Sequence, residues 1–155
     1  MKILILNPDR CIGCGTCEMV CSLTNEGIFN PTLSRINVFR YSDRGINFPI
    51  TCLHCDDPLC SKICPVDAIS KDEHGAVIVD QSRCVGCKAC MMICPFGAII
   101  FDIYRGEVIK CNLCSGEPKC AQTCVWDAIE WIEPTLEVAR KRREVIEKIL
   151  HYSST

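Results

Sequence analysis

The apolar positions of this 155-residue chain fall in short runs that alternate with polar segments. Short β-branched and aliphatic runs predict strands at residues 3–6, 75–80, 106–110 and 129–132. Between residues 31 and 48, an alternation around Ile36 and Val38 predicts a β-hairpin that turns at residues 42–45. The pattern therefore predicts short strands separated by loops.

The C-terminal segment, residues 134–155, carries a helical pattern instead. Pro134 suits the first turn of a helix. Five apolar residues gather on one side of that helix: Leu136, Ala139, Ile146, Ile149 and Leu150. Residues 140–143 form a basic run on the same segment. Two roles stay open, a helix packed on its own domain and a docking helix for a partner subunit.

Composition changes this picture, because sixteen of the 155 residues are cysteines. Aromatic residues make up only 6% of the chain, so ordinary core material is scarce. The formal charge of −2 gives no reason to expect a nucleic-acid partner. The apolar run at residues 3–6 is too short for a signal peptide, and no run approaches a transmembrane span. We therefore expect a cytoplasmic protein whose cysteines bind metal rather than form disulfides.

All sixteen cysteines fall into four quartets. The first and third have the spacing C-x2-C-x2-C-x3-C, the second C-x2-C-x4-C-x3-C and the fourth C-x2-C-x5-C-x3-C. Their members are Cys11, Cys14, Cys17 and Cys21; Cys52, Cys55, Cys60 and Cys64; Cys84, Cys87, Cys90 and Cys94; and Cys111, Cys114, Cys120 and Cys124. With Pro95, the third quartet completes the bacterial ferredoxin run. Structural zinc commonly takes two separated C-x2-C pairs, so the close spacing favours iron–sulfur clusters.

An internal repeat relates the last three quartets. Their fourth cysteines stand thirty residues apart, and each is followed at the same offset by Ala-Ile. The repeat predicts a unit of cluster loop, short helix and short strand, with the fourth cysteine at the start of the helix. Quartets two and three end in Cys-Pro, at Pro65 and Pro95, and quartets one and four do not. In a two-cluster ferredoxin the first and last strands pair, so we expect the strands at 3–6 and 129–132, which flank quartets one and four, to pair. This pairing and the Cys-Pro difference predict an inner module inserted into an outer one.

The predicted fold is therefore α+β, with two bacterial-ferredoxin-like modules. The outer module comprises residues 1–30 and 105–133, the hairpin insertion 31–48, the inner module 49–104, and the C-terminal helix and tail 134–155. In a bacterial ferredoxin run, the fourth cysteine ligates the other cluster of the pair. This rule predicts four ligand sets: Cys11, Cys14, Cys17 and Cys124 for cluster 1; Cys21, Cys111, Cys114 and Cys120 for cluster 2; Cys52, Cys55, Cys60 and Cys94 for cluster 3; Cys64, Cys84, Cys87 and Cys90 for cluster 4.

A family resemblance starts from the segment 49–65, PITCLHCDDPLCSKICP, which has the pattern P-x2-C-x-H-C-x2-P-x-C-x3-C-P. With all four quartets in order over residues 1–133, the chain resembles the iron–sulfur subunits of the dimethyl-sulfoxide-reductase type. That family has relatives in formate dehydrogenases, hydrogenases and carbon-monoxide-dehydrogenase electron carriers. The resemblance implies a chain of clusters across two modules. In size the sequence is similar to compact members, such as small subunits of tungsten aldehyde oxidoreductases and the carbon monoxide dehydrogenase carriers.

Some relatives replace a ligand of the fourth quartet and hold a 3Fe–4S cluster, whereas here every position is cysteine. We therefore expect four 4Fe–4S clusters and no catalytic site of the chain's own. The expected function is to relay single electrons between a catalytic subunit and an acceptor, which is a redox protein or a flavin subunit. The catalytic subunit would be a molybdenum or tungsten oxidoreductase, a hydrogenase or a carbon monoxide dehydrogenase. The alternative is a free-standing polyferredoxin that shuttles between partners.

Several further residues have a structural and a functional interpretation. His54, between two ligands, is expected to pack or hydrogen-bond beside a cluster rather than to ligate iron. Trp126 and Trp131 are expected to fill the core or an interface rather than to carry electrons. Gly13 is expected to allow the backbone to approach sulfur closely, as are Gly15 and Gly86.

Overall fold

A computed structural model describes residues 2–136 and, beyond them, residues 138, 140, 143, 144 and 147. It contains eight short strands: β1 (Ile3–Leu6), β2 (Ile36–Tyr41), β3 (Ile46–Thr51), β4 (Ile69–Lys71), β5 (Val77–Val79), β6 (Ile99–Asp102), β7 (Glu107–Lys110) and β8 (Ile129–Ile132). Within residues 2–135, four α-helices accompany them: α1 (Thr16–Glu26), α2 (Leu59–Lys62), α3 (Ala89–Ile93) and α4 (Lys119–Gln122). The predicted α+β class is confirmed.

The strands form four separate two-stranded antiparallel sheets, β1–β8, β2–β3, β4–β5 and β6–β7. The sheet β1–β8 joins the two ends of the cysteine-containing region, with Ile3 opposite Ile132 and Leu6 opposite Ile129. Beyond the strands, the amide of Asn7 donates to the carbonyl of Ala128 at 2.8 Å. The predicted pairing of the first strand with the last is thus confirmed.

The predicted hairpin is also confirmed, since β2 and β3 pair and the chain turns at residues 42–45. The strand β3 continues to Thr51, beyond the expected end of the insertion at residue 48. Pro49 lies within β3 opposite Val38. Proline is accepted there because a strand in a two-stranded sheet has a free edge, where no amide donor is needed.

The position of the fourth cysteine relative to the helices was predicted wrongly. Cys64, Cys94 and Cys124 follow the ends of α2, α3 and α4, and none of them begins a helix. After each of them the chain makes a turn, in which the amide three residues on donates to the cysteine carbonyl at 3.2–3.4 Å. Proline suits the second position of such a turn, which explains Pro65 and Pro95. The Cys124 turn forms without proline, so the proline does not distinguish the inner from the outer quartets structurally.

The third cysteine, not the fourth, is the one carried by each short helix. Cys60 lies in α2, Cys90 in α3 and Cys120 in α4. The first quartet differs, because the longer α1 contains both Cys17 and Cys21. The helix α1 packs against α4, and α2 packs against α3. Helix contacts therefore join quartet one to quartet four and quartet two to quartet three.

Much of the core consists of cysteine. One cluster of buried residues contains Cys17, Cys21, Cys52, Cys111 and Cys120, packed with aliphatic residues of β1, β2 and β8. A second contains Cys90 with aliphatic residues of β4, β5, β6 and β7. This composition fits a fold in which metal ligation replaces part of the ordinary apolar core.

The predicted C-terminal helix is only partly described. Among its predicted apolar residues, Ala139, Ile146, Ile149 and Leu150 lie outside the described residues. Leu136 and Val138 are helical, as are the described residues between 140 and 147. Val138 is buried, whereas Leu136 is 93% exposed. In the described part of the chain, no helix combines the length and apolarity needed to cross a membrane.

Candidate metal centres

The four cysteine loops share one backbone feature. The residue two positions after the first cysteine of each quartet has a left-handed conformation, at Gly13 (φ 74°), His54 (φ 48°), Gly86 (φ 65°) and Leu113 (φ 54°). Side chains other than glycine rarely adopt this conformation. Its recurrence at the same place in each loop indicates that the cysteines, not the residues between them, determine the backbone path.

This conformation directs backbone amides at sulfur. The His54 amide donates to Cys52 Sγ at 3.4 Å, and the Leu113 amide donates to Cys111 Sγ at 3.5 Å. The fourth cysteines also accept such bonds: Cys21 from the Arg35 amide at 3.3 Å, and Cys64 from the Ala68 amide at 3.3 Å. Hydrogen bonds to a ligand sulfur stabilise its negative charge and adjust the reduction potential of a bound cluster.

Around the first loop, the structure brings together Cys11, Cys14, Cys17 and Cys124. Burial raises the pKa of the Cys11 thiol, the Gly13 amide lowers it, and the neighbouring thiols of Cys14 and Cys124 raise it. Burial raises the pKa of Cys17 to about 12, with further contributions from the Glu18 carboxylate and from the Cys11 and Cys14 thiols. These interactions support the first predicted ligand set.

A second group surrounds Cys120 and consists of Cys21, Cys111 and Cys114. Burial strongly raises the pKa of the Cys120 thiol, and the thiols of Cys111, Cys21 and Cys114 add to the effect. The pKa of Cys111 is raised to about 11, again chiefly by burial. The group combines one cysteine of the first quartet with three of the fourth.

Seven of the other eight cysteines lie in two further groups. Burial raises the pKa of Cys60, and the Cys52 and Cys94 thiols contribute to the rise. Cys55 is exposed on the same loop as Cys52. A small cavity is lined by four cysteines together with aliphatic residues of β4, β5 and β7: Cys64, Cys84, Cys87 and Cys90. These neighbourhoods support the predicted inner ligand sets, with Cys55 added on the basis of sequence.

The four groups lie next to one another in series. Cys17 of the first group contributes to the raised pKa of Cys120 in the second. Cys52 of the third contributes to that of Cys111 in the second. Cys60 of the third contributes to that of Cys90, whose pKa is raised first by burial. Packing agrees, because the first three groups share one core cluster and Cys60 packs against the cluster that contains Cys90. The thiols therefore form a continuous series from the first group to the fourth.

The donor chemistry fits iron–sulfur clusters. All sixteen cysteines are free thiols in the structure. Burial raises the pKa of six of them, so a cation must compensate the charge before these six bind as thiolates: Cys11, Cys17, Cys60, Cys90, Cys111 and Cys120. A 4Fe–4S core offers that positive charge to four thiolates. In the described part of the chain, no three His, Cys, Asp or Glu side chains converge on a single-ion site.

The hairpin holds the first loop through residues that the sequence did not single out. The buried Glu18 accepts from the Val38 amide at 2.8 Å and from the Arg40 guanidinium at 2.6 Å. Arg40 Nε also donates to the Gly13 carbonyl at 2.8 Å. A Cβ on Gly13 would displace the Asn47 side chain, whose Oδ1 would lie 2.5 Å away, and the φ of 74° also favours glycine here. The hairpin thus covers the Cys11–Cys17 loop.

A second polar network surrounds Cys21. Asn25 Nδ2 donates to the Cys21 carbonyl at 2.8 Å, and Asn112 Nδ2 donates to Asn25 Oδ1 at 3.1 Å. Arg35 contacts Asn25 and forms an ion pair at 3.1 Å with Glu26, whose side chain is 3% exposed. Asn112 is 87 positions from Asn25 and Arg35 is ten, so no local pattern could have identified these two members of the network.

Two of the residues with two interpretations, His54 and Trp131, have structural contacts. His54 Nδ1 accepts a hydrogen bond from the Val77 amide at 2.9 Å, which agrees with the expected packing role. Trp131 packs against the first core cluster, as expected. Trp126 is 51% exposed in the turn after Cys124, so it is not a core residue.

Comparison with known families gives two matches. A family model described as a 4Fe-4S dicluster domain matches residues 44–133, which is more than half of the chain. A second, described as a 4Fe-4S binding domain, matches residues 4–22. The two matches together include all four quartets.

Similar curated proteins are components of oxidoreductases. The polyferredoxin-like subunit of an aliphatic sulfonate oxidoreductase from Pyrococcus furiosus is 48% identical over 88 residues, covering 56% of this chain and 50% of that protein. One component of the anaerobic dimethyl sulfoxide reductase of Escherichia coli is 34% identical over 99 residues, covering 55% of this chain and 47% of that protein. A subunit of the Salmonella typhimurium tetrathionate reductase is 38% identical over 93 residues, covering 56% and 37%.

The chain thus spans about half the length of these relatives, or less. A similar fold is seen in a chain of the active site complex BamBC of benzoyl coenzyme A reductase with benzoyl-CoA. The TM-score is 0.52 at 24% identity, over 97% of this chain and 90% of that one. At this identity the likeness concerns the fold alone.

Proposed function

This chain belongs to the 4Fe-4S dicluster domain family, like the iron–sulfur chains of dimethyl sulfoxide reductases, and from that premise we propose that it relays electrons within an oxidoreductase complex. It would do so as a non-catalytic subunit carrying four 4Fe–4S clusters. The observation that carries the proposal is the continuous series of four thiol groups. Adjacent clusters in one chain form a path along which single electrons can pass.

The proposed ligand sets are the four predicted from the sequence. Cross-ligation between quartets one and four is supported by the pairing of β1 with β8 and by the packing of α1 against α4. Cross-ligation between quartets two and three is supported by the packing of α2 against α3. On this basis we also propose the nested arrangement, with the inner module, residues 49–104, inserted into the outer one.

The bound clusters would supply one-electron chemistry, with potentials set by their surroundings. The chain's own contribution is to hold the thiolates, to direct amides at several of their sulfurs and to bury six of the sixteen cysteines. Cys14, Cys55 and Cys87 are the exposed cysteines. Cys14 belongs to the first group and Cys87 to the last, so each end of the series reaches the surface. The exposed Ile12 and Val85 lie beside these ends and would contact redox partners.

The proposed partners are a catalytic redox subunit, of the molybdenum, tungsten, hydrogenase or carbon monoxide dehydrogenase type, and an acceptor protein or flavin subunit. A fixed position in a complex is favoured by the basic run at residues 140–143. Loaded clusters would bring the chain to a net charge of about −10, so this cationic segment would be an unusual local patch. A free polyferredoxin is the alternative.

Anaerobic isolation of the native protein tests the proposal. We expect the chain to co-purify with a larger subunit whose substrate reduces or oxidises the clusters within the complex. A chain that is recovered alone, with full clusters and equal reactivity toward several redox proteins, would instead establish the polyferredoxin.

A further inference from the structure

A buried lysine lies where the second and third thiol groups meet. Lys110 is the last residue of β7 and immediately precedes Cys111. Its relative exposure is 4%. Its Nζ donates a hydrogen bond to the carbonyl of Val77, on the neighbouring strand β5. Among the residues that the structure describes, no carboxylate forms an ion pair with this ammonium.

Contacts on both sides of Lys110 lead to proposed cluster ligands. Through the chain it is bonded to Cys111, a buried member of the second group. Through space, Val77 connects it to the third group, because the Val77 amide donates to His54 Nδ1, between Cys52 and Cys55. Cys52 and Cys111 also share one core cluster. The Lys110 charge also reaches Cys60, where burial raises the thiol pKa and Lys110 lowers it.

The energetics of burial require a negative partner for this ammonium. Moving an unpaired charge from water into a protein interior costs several kcal/mol, by order of magnitude. Asp72 lines a cavity together with Lys110, but its Oδ1 accepts from the amides of His74 and Ala76, at 2.9 and 2.8 Å. Four thiolates around a 4Fe–4S core carry net negative charge. The clusters of the second and third groups would therefore be the anionic partners of the Lys110 ammonium.

We propose that Lys110 is the buried counter-ion of the two clusters at the module junction and raises the reduction potential of both. The inference rests on the proposed function, since it needs clusters bound by the second and third ligand sets. Reduction adds one negative charge to a cluster. A fixed cation nearby stabilises the reduced form more than the oxidised form, so it favours electron entry at the junction.

Potentiometric titration of the loaded chain, followed by electron paramagnetic resonance, tests the inference. In Lys110→Met we expect two of the midpoint potentials to fall by at least about 59 mV, a tenfold loss in the equilibrium constant of a one-electron reduction. The other two should stay close to wild type. Lys110→Arg keeps the charge and should restore both potentials, a result that a purely structural role does not produce.

Lys119→Met is the matched control. Lys119 precedes Cys120 as Lys110 precedes Cys111, but its side chain is 37% exposed and pairs with Glu117 at 3.0 Å. Removing that charge should therefore move the potentials much less, because water and Glu117 already screen it.

Iron and sulfide analysis separates the possible failures. A wild-type chain without clusters would refute the proposed function itself. Fully loaded Lys110→Met with unchanged potentials would overturn only the inference. If Lys110→Met does not assemble clusters, Lys110→Gln, which keeps a donor for Val77, replaces it in the titration. Failure of both neutral variants to assemble would assign Lys110 a structural role and would also overturn the inference.

Discussion

The ion pair between Glu18 and Arg40 provides a quantitative test of how the hairpin holds the first cysteine loop. Their side chains are 10% and 44% exposed, and their closest atoms are 2.6 Å apart. Replacing Arg40 by Met removes the cation beside the buried Glu18 carboxylate. The carboxylate still accepts the hydrogen bond from the Val38 amide. Breaking a fully buried pair costs about 3–5 kcal/mol, and partial hydration at the Arg40 end reduces this to about 2–3 kcal/mol.

Hydrogen exchange of the loaded protein, read by mass spectrometry over residues 36–51, measures this local opening. A loss of about 2–3 kcal/mol corresponds to exchange about 30- to 140-fold faster in Arg40→Met. Glu18→Gln keeps an acceptor for the Val38 amide and leaves a half-exposed guanidinium, so it should cost about 1 kcal/mol. The double variant leaves no buried charge at this pair. We therefore expect it to lower the free energy of local opening by about 1–2 kcal/mol less than the sum of the two single changes.

Arg44→Met is the control for this experiment. Arg44 lies in the turn of the same hairpin, is 51% exposed and is 3.9 Å from Asp43. Such surface pairs contribute about 0–1 kcal/mol, so exchange should change by at most a few-fold. Equal exchange in Arg40→Met and Arg44→Met, or additive effects of the two changes at the pair, would refute the proposed bracing of the loop.

The remaining predictions concern the clusters themselves. Cys124→Ser should alter the same electron paramagnetic resonance signal that Cys14→Ser alters, because both residues are proposed ligands of cluster 1. If Cys124→Ser instead alters the signal that changes in Cys114→Ser, the proposed cross-ligation is wrong. Anaerobic removal of the clusters should leave a largely unfolded chain by circular dichroism, and a cooperatively folded cluster-free protein would contradict this. Any compact cluster-free form should lose stability as the pH rises from about 9 toward 11–12, because Cys17 and Cys111 have a raised pKa when folded and ionise first in the unfolded chain. For such a form, the midpoint of urea unfolding followed by circular dichroism should be lower at pH 10 than at pH 7, and equal midpoints would argue against this linkage.

The features that could be predicted well from the sequence depend on local spacing. Cysteine spacing identified the four loops, the alternation around Ile36 located the hairpin, and the strands at 3–6 and 129–132 pair as expected. Each of these signals lies within a few neighbouring residues. The thirty-residue repeat likewise indicated the correct order of loop, helix and strand.

The prediction that failed concerned which residues the short helices contain. The fourth cysteines resemble helix starts because Pro65 and Pro95 follow two of them, yet proline suits the second position of a turn equally well. A proline alone therefore does not distinguish a helix start from a turn. The left-handed conformation of Asp67 and Asp127, which completes two of these turns, had no sequence signal stronger than the aspartate itself.

Residues that depend on distant contacts could not be found from the sequence. Glu18 and Arg40 are 22 positions apart, and Lys110 and Val77 are 33 apart. Each charged residue type alone is typical of a solvated surface. Their burial follows from how the hairpin and the strands around the cysteine loops pack, which no local pattern contains.

The central claim is that this chain holds four 4Fe–4S clusters. Iron and acid-labile sulfide analysis of the anaerobically purified protein tests it most directly. We expect about sixteen iron atoms and about sixteen sulfides per chain, one cluster for each set of four cysteines. About four zinc ions without sulfide, or about half the predicted iron and sulfide in a fully folded chain, would contradict it.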